Sequence, residues 1–118
     1  MILSPTTYPN TSRTITGLIN PVFNTDSIIL CDTTTGAVAL QLAEIPQGYW
    51  STQYRLYVID SSGLANVNNI TINAPVGFTI NGASSVTINV ANGRCILKIS
   101  SDTTYLASFS MERAQGTW

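Results

Sequence analysis

From residue 70 to residue 80 every even position is apolar: Ile70, Ile72, Ala74, Val76, Phe78 and Ile80. The odd positions between them are Thr, Asn, Pro, Gly or Thr, and after Gly82 and Ser84 the even phase resumes with Val86, Ile88 and Val90. A period of two is the mark of a strand with one buried face, and the stiff β-branched residues that carry it favour the pleat. The triplet Thr-Ile-Asn occurs at 71–73, 79–81 and 87–89, with an even spacing that keeps each Ile in one phase.

The turns between these runs follow from the same pattern. Asn92-Gly93 is a strong signal for a two-residue hairpin, since both central residues of a type I′ turn need positive φ. A turn there predicts the pairs Val90 with Cys95, Ile88 with Leu97 and Val86 with Ile99, all on one buried face. At Asn81-Gly82 a two-residue turn would put Phe78 and Val86 on opposite faces. A longer loop, NGASS, is therefore expected to oppose Ile80 to Val86, and NAPVG to oppose Ile72 to Phe78. The region reads as a meander. A solenoid is disfavoured, because eight residues are too few for a full β-helix coil and the period does not continue outside 70–90.

The remaining chain supplies further runs: SIILCD at 27–32, AVALQL at 37–42, QYRLYVID at 53–60 and TYLASF at 104–109. Thr33-Thr34-Thr35-Gly36, Ser61-Ser62-Gly63 and Ser101-Asp102 punctuate them as turns. The expected fold is all-β, a single antiparallel sandwich or jelly-roll-like domain of about eight short strands. The domain is placed at 27–118. Residues 1–26, with Pro5, Pro9 and Pro21 and no sustained alternation, read as an extended N-terminal arm whose Ile2, Leu3, Tyr8, Ile15, Leu18 and Ile19 are candidate anchors for a partner.

Composition changes this picture in one respect. The 118 residues are one domain's worth, yet only 9% are charged, against about 25% in an average domain. Ser, Thr and Asn supply 12, 16 and 10 residues, so hydroxyls and amides replace charges on the outside. Such a surface suits a protein held in an assembly. The net charge of −1 gives no electrostatic basis for binding nucleic acid or an anionic membrane. The apolar runs are too short for a transmembrane helix, and the first residues have no secretory-signal pattern.

Candidate chemistry is sparse. There is no histidine, which removes the usual base near neutral pH and the commonest metal ligand. The six carboxylates are Asp26, Asp32, Glu44, Asp60, Asp102 and Glu112. Four of them, the aspartates, adjoin turns or strand ends, where Asp caps backbone N–H groups. Cys31 and Cys95 fit neither a zinc motif nor a CxxC pair and read as small buried hydrophobes. Arg94 and Lys98 read as solvated charges guarding strand edges. The expectation is no catalysis, no metal and no cofactor. Tyr49, Trp50, Tyr54 and Tyr57 are the one aromatic cluster, read either as core and subunit interface or as a surface that stacks on a glycan.

The order of elements from 27 to 109 resembles a domain of tailed-phage virion proteins. The residues that carry the resemblance are Asp32-Thr33-Thr34-Thr35-Gly36 leading into Val38-Ala39-Leu40-Gln41-Leu42, then Ile45-Pro46 and Asp60-Ser61-Ser62-Gly63. They continue with Asn68-Asn69-Ile70-Thr71-Ile72, Gly77-Phe78-Thr79-Ile80-Asn81-Gly82 and Ser101-Asp102-Thr103-Thr104-Tyr105. Asn81 and Tyr105 depart from the commoner Asp and Trp of that pattern. The resemblance implies a non-enzymatic virion structural protein, a homotrimeric head fibre or decoration protein on a bacteriophage capsid. It would be assembled in the host cytoplasm and tethered by residues 1–23. The alternatives are a glycan-contacting tail-fibre tip or base-plate component, with a host-surface glycan as partner, and a secreted bacterial lectin or adhesin module.

Overall fold

The computed structural model describes residues 12–22, 26–44, 54–101 and 103–111, with the main chain alone at Met111. These residues form ten strands and no helix. The strands are β1 (Ser12–Ile15), β2 (Asn20–Pro21), β3 (Ile28–Cys31), β4 (Val38–Gln41), β5 (Leu56–Asp60), β6 (Ile70–Asn73), β7 (Thr79–Ile80), β8 (Ser85–Ile88), β9 (Gly93–Ser101) and β10 (Thr104–Met111). The larger sheet has the order β1-β3-β5-β9-β10-β7 and the smaller one β2-β4-β6-β8.

Successive strands from β1 to β6 therefore alternate between the sheets. Within each sheet they pair in parallel: Ser12 with Ile28, Ile28 with Tyr57, Asn20 with Leu40, and Leu40 with Ile72. The chain winds as a coil whose turns cross from one sheet to the other and back. Only then does it reverse. β8 runs antiparallel to β6, β9 to β5 and β10 to β9, while β7 lies parallel to β10 at the sheet edge.

The expectation of an antiparallel fold is thus corrected to two mixed sheets, and the expected meander over 70–99 is corrected with it. The three Thr-Ile-Asn triplets fall on β6, β7 and β8, which alternate between sheets. Ile72 pairs with Val86 and Ile70 with Ile88, and β7 is not between them. The physical reason is that alternation tells which face of a strand is buried but not which strand lies beside it. Two strands on opposite sheets bury their apolar faces against each other as well as two neighbours in one sheet do.

The two Asn-Gly pairs exchange roles for the same reason. Asn81 and Gly82 both have positive φ, 54° and 83°, and Ile80 and Ala83 exchange N–H···O bonds of 2.7 and 2.9 Å across them. That is a two-residue turn of the I′ kind. At 92–93 only Asn92 has positive φ, at 62°, and Gly93 N donates to Val90 O at 2.9 Å. The chain there turns a corner from β8 in the smaller sheet to β9 in the larger one. Ile88 and Leu97 are both buried as expected, but they belong to different sheets instead of pairing across a hairpin. Val90 is exposed.

One core joins the sheets. Ile29, Leu56, Val58, Ile80, Cys95 and Leu97 from the larger sheet pack with Val38, Leu40, Ile70, Ile72 and Ile88 from the smaller. Burial of each Leu or Ile stabilises the fold by roughly 1.5–3 kcal/mol, so the strands are held chiefly by this seam. The placement of residues 12–22 differs from the expected arm. β1 and β2 are integral to the two sheets, and Ile15 and Val22 belong to the core. A bidentate pair fastens this segment: Arg13 Nε donates to Asp26 Oδ1 at 2.9 Å and Nη2 to Oδ2 at 2.8 Å, while Nη2 also reaches Pro21 O.

Candidate functional site

Because β1, β3 and β5 are parallel, the corners that leave them stack on one side of the coil. These are the segments 16–19, 32–37 and 61–69, and the β8–β9 corner at 89–92 joins them because β8 is antiparallel to β6. Main-chain bonds tie corner to corner. Asp32 N donates to Ile15 O at 2.9 Å, Ala39 N to Gly17 O at 3.0 Å, and Val38 N to Asn69 O at 3.1 Å.

Side chains complete the lattice, and this is where the Asp-Thr and Asp-Ser-Ser-Gly segments act. Asp60, buried at the end of β5, accepts four bonds: from Thr33 Oγ1 at 2.7 Å, Ala65 N at 2.9 Å, Asn92 N at 2.9 Å and Gly63 N at 3.1 Å. Thr33, fully buried, also accepts from Leu64 N, and its carbonyl takes the Asn68 amide at 2.7 Å. Asp32 Oδ1 accepts from Thr34 N, Thr34 Oγ1 and Ser62 Oγ. The expected capping role of these two aspartates is thus visible bond by bond.

Electrostatics follow from that geometry. Burial pushes the Asp60 carboxyl up, but its bonds from Ala65, Thr33, Asn92 and Gly63 outweigh this and hold it below the ordinary aspartate value. Asp32 is likewise lowered, chiefly by the Thr34 hydroxyl, then by Thr34 N and Ser62. Burial, with a smaller contribution from nearby Asp60, pushes the Cys31 thiol up to about 12, and burial alone does the same for Cys95. Neither thiol is a thiolate near neutral pH, so neither is placed as a nucleophile. Both sit in the core, as the sequence suggested. Among the described residues no three His, Cys, Asp or Glu side chains converge on a point that could hold a metal ion.

The corners expose apolar side chains among uncharged polar ones such as Thr16, Thr34, Thr35, Asn66 and Asn69. Leu18 and Ile19 on the first corner are 72% and 66% exposed, Val67 on the third is 71% exposed, and Leu64 and Val90 are also uncovered. Of the candidate anchors, Leu18 and Ile19 are therefore on the surface, Ile15 is in the core, and Ile2, Leu3 and Tyr8 lie outside the described residues. The aromatic cluster is divided. Tyr54 packs against the core edge-on to Tyr105, with ring centroids 6.3 Å apart, while Tyr57 faces outward on β5. Tyr49 and Trp50 lie outside the described residues. Tyr105 Oη donates to Ala43 O at 2.7 Å, so the phenol at this position has a structural partner. Arg94 and Lys98 are not edge charges, since β9 lies between β5 and β10.

Sequence reasoning missed a second feature. A cavity of about 410 Å³ opens where β8 ends, lined by Ile88, Val90, Gly93, Arg94, Phe109 and Ser110. Its signal was present in the alternation of β10, which puts Phe109 on the same face as Tyr105 and Ala107. What was absent was any sign that sheet pairing ends near it. No protein-family model matches the chain, and no curated protein matches it significantly.

Proposed function

We propose that this chain is a non-enzymatic virion structural protein of a tailed bacteriophage, a capsid-attached head fibre or decoration protein built as a homotrimeric β-sandwich. The observation that carries the reading is the stacked corner: exposed Leu18, Ile19, Leu64, Val67 and Val90 stand over a hydrogen-bonded lattice on a surface with few charges. Exposed apolar side chains carried on a hydrogen-bonded scaffold, among neutral Thr and Asn, are suited to docking on another protein surface, with little of the charge that would resist burial. The polar side chains at the corners are engaged with one another, which supports a structural role for the aspartates over acid–base work. Three of the motifs that carry the phage resemblance, at 32–36, 60–63 and 68–72, contribute residues to this lattice.

The tether is assigned to residues preceding β1, because Ile15 and Val22 serve the chain's own core. Deleting residues 1–11 tests it. The expected result is a folded domain that no longer loads onto phage particles, and normal loading would sink the assignment. Location is tested by reconstructing labelled particles. Density on the tail tip instead of the capsid would favour the receptor-binding alternative, which the division of Tyr54 from Tyr57 does not favour.

A further inference from the structure

The outer edge of β10 in the larger sheet is only half covered. β10 runs over Thr104–Met111, but its outer neighbour β7 pairs with Thr104 and Tyr105 alone. One residue further on, the Asn81 side chain takes over from the backbone. Asn81 N donates to Tyr105 O at 3.0 Å, its Oδ1 accepts from Ala107 N at 2.9 Å, and its Nδ2 donates to Ala107 O at 3.0 Å. The side-chain amide thus serves Ala107 as a backbone peptide would.

These bonds also fix which groups of β10 face outward along the sheet. In an antiparallel pair, residues alternate between those bonded to the neighbour and those turned away. Tyr105 and Ala107 are turned from β9, so the next two positions of the same parity, Phe109 and Met111, present their N–H and C=O groups to the open edge. Among the described residues nothing pairs with them there.

Edges left open in stable proteins are guarded by charge, proline or a bulge. The run from Thr104 to Met111 contains no charged residue, Pro or Gly, and its one irregularity is at Thr104/Tyr105, away from the open end. The opposite edge strand, β1, carries Arg13. The stretch from Thr104 to Met111, which Glu112 and Arg113 follow, meets its own copy without charge repulsion, and Phe109 and Met111, separated by one residue, are self-complementary about a two-fold axis.

We propose that the open end of β10 is a homotypic interface, at which a second copy of this chain adds its own β10 antiparallel, with Phe109 of one copy opposite Met111 of the other. The Asn81 clamp selects this register. Pairing Phe109 with Phe109 would bring Met111 of the second copy onto Ala107, whose N–H and C=O Asn81 already occupies. Pairing Phe109 with Met111 keeps every described residue of the second copy clear of Ala107 and leaves Ser110 on the axis. Each such pair exchanges two N–H···O bonds. The interface is independent of whether the protein belongs to a virion.

The test is mass by light scattering on the purified full chain, for the wild type and for Phe109→Pro. Proline at 109 removes the N–H that points to the open edge but none that β9 uses, so the β9–β10 ladder is preserved. The expected wild-type mass is an even multiple of the chain, two copies or six if trimers also form, and Phe109→Pro halves it with the far-ultraviolet dichroism unchanged. A wild-type monomer or trimer at micromolar concentration overturns the interface, and a trimer would leave the proposed function standing. An even mass that survives Phe109→Pro in a folded variant overturns it as well. If that variant fails to fold, amide exchange in the wild type decides. Protection at Phe109 and Met111 that is lost on dilution supports the pairing, and exchange independent of concentration refutes it.

Discussion

Asp60 Oδ2 accepts the backbone N–H of Asn92 at 2.9 Å, joining the end of β5 to the corner between β8 and β9, 32 residues away in the chain. The same carboxylate holds Thr33 on the preceding corner, so one side chain fastens three crossings of the coil. A neutral amide has one carbonyl oxygen where the carboxylate has two.

Replacing Asp60 by Asn therefore leaves buried N–H groups without an acceptor and should cost about 2–4 kcal/mol, since each costs about 1–3 kcal/mol. The folded-state pKa of Asp60 is depressed, so its contribution is present above the unfolded value near 4 and is lost as pH falls through the lower folded value. Asp32 acts in the same direction. Urea midpoints measured from neutral to acid pH should fall below about pH 4 for the wild type, and less steeply for Asp60→Asn. Equal acid slopes in the two proteins would contradict the assignment.

Ile88 lies 3% exposed and shares the core with fully buried Leu97 of the other sheet. Ile88→Ala should cost about 2–5 kcal/mol in equilibrium unfolding, because the cavity it leaves is walled by strands that cannot collapse independently. A loss below half a kilocalorie would place Ile88 outside the seam.

Gly93 is required by close approach, not by left-handed backbone. A Cβ there would stand 2.6 Å from Ile88 Cγ2 and 2.9 Å from Val90 O. Gly93→Ala should destabilise by about 1–3 kcal/mol through overpacking. Gly36, where a Cβ would meet nothing within 4 Å, is the control, and Gly36→Ala should stay within about 0.5 kcal/mol of the wild type. Comparable melting temperatures for the two variants would refute the corner geometry.

Cys31 and Cys95 are fully buried, with thiols pushed up to about 12. In native buffer at mildly alkaline pH, a disulfide reagent should label neither on the time scale of mixing, and both should react at once in denaturant. Rapid labelling of the folded protein would show that the core opens at β3 or β9.

The strands were largely legible from alternation. Runs at 27–32, 37–42, 69–72 and 94–99 coincide closely with β3, β4, β6 and β9, because an apolar side chain at every second position can be buried only from an extended backbone. The capping aspartates were legible too, since Asp beside Ser, Thr and Gly binds nearby N–H groups wherever the chain turns. Pairing was not. A corner such as Thr33-Thr34-Thr35-Gly36 carries the same residues whether it reverses a strand within one sheet or passes the chain to the other. β1 and β2 were hidden for a related reason: Ser12–Ile15 holds a single apolar residue and Asn20–Pro21 spans two positions, so neither shows an alternation, and Ile15 joins the core with β3 parallel beside it. The sequence by itself determined where the chain bends and most of the side chains that are buried, both set by local chemistry, though Val76 and Val90 on the alternating face are exposed. The tertiary structure alone decided which strands are neighbours, and with that the stacking of the corners and the open end of β10. Those depend on contacts between residues far apart in the chain, and local pattern is the same for either arrangement.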